Sequence, residues 1–321
     1  MLPLVSIITP SYNQAQFLEE TIQSVLSQDY PRLEYIVIDG GSTDGSVEII
    51  RKYADRLAYW VSEPDQGQTE AINKGLRRAQ GEILAWLNSD DLYEPGAVRG
   101  AVEVLLAQPQ FDLVYADCHY IGADGRLLQT MRAWDFVPRR LLTGIPLVIQ
   151  PASFFTRRAL DRAGSLDESL HYVFDHDFYV RMVLAGLNFR RVEAIWARFR
   201  LHAASKTWTQ WIRFNLELQQ IVERTFAQLS PIAPREWLAE GRANVWQWLG
   251  EAYLKNGQQA MARRALLNAL AAYPFRAKTF MALALLLDAT LGTRLSTLVR
   301  RWRYHLPDAP PGARPLEDFN A

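Results

Sequence analysis

The chain has 321 residues, enough for one large domain and a smaller one. A hydrophobic fraction of 49% with 22% charged residues excludes a disordered or fibrous chain, and a net charge of zero argues against nucleic-acid binding as the main task. The single cysteine, Cys118, excludes an internal disulfide; as a small core residue it suits a reducing compartment.

Val5-Ser6-Ile7-Ile8-Thr9 predicts a first strand, closed by Pro10-Ser11-Tyr12-Asn13. Leu18, Ile22, Val25 and Leu26 then share one face of a helix. A second strand over Glu34–Asp39 runs into Gly40-Gly41-Ser42-Thr43-Asp44-Gly45-Ser46, where Asp44 is placed to cap the next helix. A third strand, Ala58–Ser62, meets Glu63-Pro64-Asp65-Gln66-Gly67, and the following helix carries Ile72, Leu76 and Ala79 on one side. The fourth strand, Ile83–Leu87, is apolar on both faces and stops at Asn88-Ser89-Asp90-Asp91. Four strand–helix alternations predict an α/β fold with a doubly wound, mostly parallel sheet.

In such a sheet the loops after the strand ends share one rim, where open α/β folds hold their ligands. Four polar loops therefore converge: residues 11–13, 39–42, 65–67 and 88–91. Glycine-rich strand-to-helix turns suit phosphates, although the dinucleotide fingerprint G-x-G-x-x-G is absent. Paired Asp90 and Asp91 offer hard oxygen ligands to a divalent cation, while the plainer reading makes them helix starters. Leu113–Ala116 and Ala152–Thr156 read as further strands, Ala123–Arg126 as a hairpin turn, and about Thr130 to Pro151 as an irregular loop. Phe174 opens a helix whose first turn holds Asp175 and Asp177; Asp177 stands four before Arg181 and reads as a structural pair, whereas Asp175 has no such partner. Phe199 to Thr207 closes the first domain, residues 1–207.

These blocks together resemble a family 2, GT-A-fold glycosyltransferase. They are Val5–Asn13, Val37–Ser46, Asp65-Gln66-Gly67 with Ala71–Gly75, Asn88–Asp91, Asp175-His176-Asp177 and Arg200-Leu201-His202. The family's D-x-D stands here as Asn88-x-Asp90-Asp91, and its E-D pair as Phe174-Asp175. The resemblance implies a nucleotide-diphosphate sugar donor, with UDP the expected nucleotide. Pro10, Tyr12, Asn13, Asp39 and Ser42 would hold base and ribose, with Asp65 and Lys74 nearby; Lys74 reads equally as a solvated helix lysine. Asp90 would contact donor ribose or sugar, and Asp91, His202 and Asp90 would hold Mg²⁺ or Mn²⁺. Asp175 would be the general base for an acceptor hydroxyl on a carbohydrate or lipid-linked sugar. An inverting, non-processive transfer follows, in bacterial surface polysaccharide or glycolipid assembly. Acceptor choice is expected in the loop of about Thr130 to Pro151.

Beyond Thr207 the pattern is all helical, over residues 208–306, and from Ser205 onward the chain carries a net +6 against −6 before it. Trp246, Leu249-Gly250, Tyr253, Ala262, Leu266, Ala269 and Pro274 fall at tetratricopeptide spacing, giving one unit at about 243–276 that a protein partner could use. Arg300-Arg301-Trp302-Arg303-Tyr304-His305 ends a helix in basic and aromatic residues; it reads either as a solvated helix end or as peripheral membrane contact. Residues 307–321 are proline-rich and expected to be disordered. No secretion signal is visible and the longest apolar run, Met281–Leu287, is far short of the roughly 20 residues of a membrane span. A cytoplasmic protein is expected, at most peripheral at the inner face of the membrane. The rival readings are a processive membrane synthase, which should have spans and a Q-x-x-R-W block; a nucleotidyltransferase; and a non-catalytic carbohydrate-binding or scaffold protein. Asp90, Asp91, Asp175 and His202 together argue against the last.

Overall fold

The computed structural model describes residues 2–202, 210–229, 233–274, 279–293 and 295–296. The basic stretch 300–305 and the tail 307–321 lie outside the described residues. The chain divides into two compact units, residues 1–136 with 147–202, and residues 137–146 with 203–321. The short segment 137–146, expected within the first domain, thus belongs with the helices.

The first unit follows the alternation read from the sequence. Strands β1 (Val5–Ser11), β2 (Leu33–Asp39), β3 (Tyr59–Ser62) and β4 (Ile83–Trp86) are separated by helices α1 (Ala15–Leu26), α2 (Ser46–Lys52) and α3 (Gln68–Arg78). The chain continues through β5 (Leu92–Tyr93), α4 (Ala97–Ala107), β6 (Leu113–Ile121), β7 (Leu127–Met131), α5 (Pro138–Leu142), β8 (Ser153–Thr156), α6 (Arg157–Ala163), α7 (Phe174–Leu184) and β9 (Phe189–Arg200). The sheet runs β3-β2-β1-β4-β8-β6-β9-β5, with β7 on β6. The four strands β3, β2, β1 and β4 are parallel, as is the pair β6–β9. The sheet is nevertheless mixed: β8 enters antiparallel between β4 and β6, and β5 and β7 are antiparallel to their neighbours.

Strand β1 is buried throughout and β4 lies at the centre, so both are covered on two faces; β4 is apolar on both, whereas β1 also buries Ser6, Thr9 and Ser11. Leu18, Ile22 and Val25 of α1 are fully buried against this sheet and share a core with Val5, Ile7, Val37 and Ala85. Burying each such side chain contributes about 1.5–3 kcal/mol. Asp44 is displaced by one place from its expected role: Gly45, at φ 100, is the N-cap of α2, while the Asp44 carboxylate accepts from Ser46 N at 3.1 Å and from Ala15 N at 2.9 Å. One side chain thereby fixes the starts of two helices. Burial raises its carboxyl, but the bonds from Ser46 and Ala15 outweigh that and leave it below the ordinary value.

The second unit holds α5 and the helices α8 (Trp211–Leu229), α9 (Arg235–Lys255), α10 (Gln259–Ala272) and α11 (Thr279–Leu291). Leu249, Tyr253, Ala262 and Leu266 meet Met281 and Leu285 in one apolar cluster, with Trp246 half-buried at its edge. Gly250 permits the approach of α9 and α10, since a Cβ there would stand 2.6 Å from Leu266 Cγ. The segment 137–146 is tied to α9 by an Arg139–Glu240 ion pair at 2.7 Å and by Asn244 Nδ2 donating to Thr143 O at 3.1 Å.

Candidate active site

The first two loops of the rim are knitted together by their own polar atoms. Asp39, fully buried at the end of β2, accepts from Gly41 N (3.1 Å), Ser42 N (2.9 Å), Ser42 Oγ (2.5 Å) and Ser62 Oγ (2.7 Å). Asn13 takes a left-handed conformation at φ 51, which asparagine tolerates, and so reaches across. Its N–H donates to Ser42 Oγ at 2.7 Å and its Oδ1 accepts from Thr43 N at 2.9 Å. Pro10 is buried in β1, whereas the Tyr12 ring is 62% exposed at the rim. Asp39 and Asn13 therefore shape the loop, and Tyr12 is the surface that it presents. A cavity of about 600 Å³ opens beside this loop, lined by Ser42, Thr43, Arg51, Trp60 and Ser62 among others; Asp90, Asp175 and His202 do not line it.

The third loop enters through Gly40. A Cβ at that position would lie 2.7 Å from Asp65 Oδ2, so only glycine lets the Asp65 carboxylate sit against the second loop. Asp65 Oδ1 accepts from Gly67 N at 2.9 Å. Burial pushes this carboxyl up, against the opposing effects of the Gly67 N–H and the Lys74 charge. Lys74 itself is held by Glu63 (3.1 Å) and Glu70 (3.2 Å), the helix-surface arrangement that its sequence allowed.

The two acids after β4 have opposite surroundings. Asp91 is 1% exposed; its Oδ1 accepts from Arg200 N at 2.9 Å and its Oδ2 from Asn88 Nδ2 at 3.2 Å. Desolvation, then the charge of Asp90, push its carboxyl well above the ordinary carboxylate range. Asp91, expected as a metal ligand, is buried here, with its two oxygens accepting from the Arg200 N–H and the Asn88 amide. Asp90 faces the rim, and its Oδ2 lies 2.9 Å from His202 Nε2. The His202 ring rests on Phe17, centroids 4.8 Å apart. The amide at Asn88, which replaces an acid, does structural work: besides its bond to Asp91, its Oδ1 accepts from Gln68 Nε2 at 2.7 Å.

Asp175 reaches the rim because the segment before α7 runs along α3. Asn73 Nδ2 donates to Leu166 O at 2.9 Å, Thr69 Oγ1 donates to Leu170 O at 2.8 Å, and His171 Nδ1 lies 3.8 Å from where a Gly67 Cβ would be. Trp86, the last residue of β4, completes the placement, with its ring centroid 6.4 Å from Phe174 and 6.2 Å from Phe178. Asp175 is half-buried, and its Oδ1 accepts from His176 N at 2.8 Å. Burial pushes its carboxyl up to about 6, despite that bond, with the Asp177 charge adding to the rise. Asp177 is the structural acid, paired with Arg181 Nε at 2.8 Å.

Among the described residues no group of three or more His, Cys, Asp or Glu is arranged to hold a metal. Two donors do converge, however: one carboxylate and one imidazole. Mg²⁺ or Mn²⁺ binds commonly through one or two protein ligands, the rest being phosphate oxygens and water. Asp90 supplies the carboxylate of that set, with its Oδ1 carrying no bond to another described residue, and His202 Nε2 adds a nitrogen donor that suits Mn²⁺ better than Mg²⁺.

Sequence reasoning quoted Arg200 within a motif but gave it no role, and it missed Glu20 and Phe17 altogether. The comparisons with known proteins bear on what this rim belongs to. The model of glycosyl transferase family 2 matches residues 6–164. An uncharacterized glycosyltransferase of Mycobacterium tuberculosis is 36% identical over 187 residues, 57% of this chain and 70% of that relative. The chain belongs to glycosyl transferase family 2.

Two solved structures share the GT-A fold of this family 2 chain. Residues 1–349 of S. aureus TarS, in complex with UDP-GlcNAc, align with TM-score 0.64 at 17% identity, over 94% of this chain and 93% of that one. The mannosyltransferase PcManGT of Pyrobaculum calidifontis, in complex with GDP-Man and Mn²⁺, aligns with TM-score 0.58 at 24% identity, over 97% of this chain and 89% of that one. No helix among the described residues of this family 2 chain is long and apolar enough to cross a membrane.

Proposed function

We propose that this family 2 chain is a non-processive, inverting transferase that moves a sugar from a nucleotide-diphosphate donor to a hydroxyl of a carbohydrate or lipid-linked sugar. The observation that supports this reading is the meeting of Asp90 and His202 at 2.9 Å, with Phe174, the residue before Asp175, packed against Trp86 at the end of β4. Tyr12, Asn13 and Ser42, on the scaffold of Pro10 and Asp39, hold base and ribose; Asp65 borders them, and Lys74 steadies its loop through Glu63 and Glu70. UDP is the expected nucleotide, and TarS and PcManGT, with UDP-GlcNAc and GDP-Man, lend support to a donor of that kind.

Asp90 and His202 would hold Mg²⁺ or Mn²⁺, and Asp91 would fix Asp90 from behind. When bound, the cation supplies neutralisation of the charge that develops on a departing diphosphate. Asp175 accepts the acceptor's hydroxyl proton as that oxygen bonds to the anomeric carbon and the bond from that carbon to the diphosphate breaks. A general base of this kind contributes on the order of 10²- to 10⁴-fold, and a carboxyl that titrates near 6 combines useful basicity with ionisation at neutral pH. One displacement opposite the leaving group inverts the anomeric centre.

Helices α9 and α10 form one tetratricopeptide-like unit in this reading, with surface polysaccharide or glycolipid assembly at the inner face of the membrane as the setting. The test is a donor screen that measures UDP, GDP and dTDP release from their sugars with and without Mn²⁺. Release that depends on acceptor and on Asp175 supports the assignment; no release from any donor under any condition refutes it.

A further inference from the structure

We propose, resting on the reading of Asp90 and His202 as the cation-holding pair, that Arg200 is the positioning residue that keeps this pair in register. Arg200 is the last residue of β9 and 1% exposed, one of the largest fully buried side chains of the molecule. A buried guanidinium is costly unless its N–H groups are met, so its partners disclose its purpose. Nε donates to Asp90 O at 2.9 Å, Nη1 to Ala123 O at 3.0 Å, and Nη2 to Glu20 Oε2 at 2.6 Å. The guanidinium carbon lies 4.7 Å from the centroid of Phe17, the same ring that supports His202. Its own backbone N–H donates to Asp91 Oδ1. One residue thereby touches both acids of the loop after β4, helix α1 and the β6–β7 turn, and it is joined to His202 through a single intervening residue.

The two groups it aligns come from loops more than a hundred positions apart. Among the bonds described, that from Arg200 Nε joins the Asp90 backbone itself to the end of β9, two residues before His202, while Leu92 and Tyr93 pair with β9 further back. Arginine suits the task because its planar fork presents five N–H donors in fixed directions, whereas a lysine ammonium at the same site is a compact charge on a flexible stem. Loss of the fork leaves Asp90 and His202 present but free to drift, and a metal site tolerates little drift. Arg200 touches neither donor nor cation in this assignment; it acts through the residues that do.

The experiment uses the full chain and three variants: Arg200→Lys, Glu20→Gln and, to assign the ring signal, His202→Gln. Calorimetry measures UDP and GDP binding with and without Mn²⁺, and NMR follows the His202 ring signal in the nucleotide-free protein. In the wild type Mn²⁺ is expected to tighten nucleotide binding at least tenfold. Arg200→Lys is expected to bind nucleotide without metal as the wild type does, to lose most of the Mn²⁺ tightening, and to move the His202 signal. Glu20→Gln, altered at a mostly exposed partner, gives a smaller effect of the same kind and carries the test if Arg200→Lys does not fold. A general loss of stability would lower the melting temperature without altering the Mn²⁺ tightening or the ring signal, and that result overturns the proposal. Wild-type binding that ignores Mn²⁺ would sink the reading of Asp90 and His202, and the proposal with it, before any variant is compared.

Discussion

Replacing Asp175 by Asn removes one charge from a half-buried position and leaves an oxygen to accept the His176 N–H bond. A carboxyl whose ordinary value is 3.8 and which titrates at about 6 in the fold is held ionised there at a cost to the folded state. That cost is about 3 kcal/mol above pH 6, at 1.36 kcal/mol per pH unit of displacement. The direction follows from linkage: below pH 3.8 both folded and unfolded chains are protonated and the cost vanishes. It grows as pH rises through the interval from 3.8 to about 6 and is complete above it. Asp175→Asn should therefore be more stable than the wild type at pH 8, by up to about 3 kcal/mol, and no more stable at pH 3.5. Denaturant midpoints at the two pH values measure this. The same variant should bind nucleotide normally and lose transfer by on the order of 10²- to 10⁴-fold. An Asn variant that is fully active, or whose stability difference is the same at both pH values, would refute the assignment of Asp175 as a desolvated base.

Wild-type kcat/KM should fall below about pH 6 as Asp175 takes up a proton, with a slope of one against pH; a profile flat from pH 5 to 8 would count against it. Gly40→Ala places a Cβ 2.7 Å from Asp65 Oδ2 and should raise donor KM about tenfold with little change in melting temperature, the equivalent of about 1.4 kcal/mol. Asp91→Ala strands the Arg200 N–H in a buried place, and urea melts at acid pH, where the desolvated carboxyl carries no charge to relieve, should show a loss of about 1–3 kcal/mol. Gly250→Ala drives a methyl toward Leu266 and should cost about 1–3 kcal/mol in the helical unit while leaving the nucleotide affinity unchanged.

The first half of the sheet was legible because its information is local. Apolar runs ended in polar turns at regular spacing, and β1 to β4 lie where those runs are. Strand β9 was not read as a strand, although it is 12 residues long; only its last two residues, Phe199 and Arg200, fell in the segment taken to close the domain. Register shifts near Tyr115–Cys118 in its pairing with β6 break the alternation that would have marked it. The antiparallel entry of β8 was hidden for another reason, since strand direction depends on partners far along the chain. The site divides the same way. Asp90 and Asp175 stood out at a strand end and a helix start, and His202 through the family resemblance, but no sequence rule tells which of two adjacent acids faces inward. Burial decides that for Asp91. Arg200 draws its partners from Phe17, Glu20, Asp90 and Ala123, and their convergence is a property of the fold alone.

The chain leaves its sheet-bearing unit after Phe136, contributes ten residues to the helices, and returns at Leu147. Leu141 and Leu142 are buried there, and Thr143 O is capped by Asn244. A fragment cut after His202 would keep this excursion but lose the helix it is bonded to, leaving Arg139 without Glu240 and Thr143 O without Asn244. Anyone seeking a minimal active enzyme should replace residues 137–146 with a short polar linker at the same time as trimming the C-terminus, or expect a sticky, poorly expressed product.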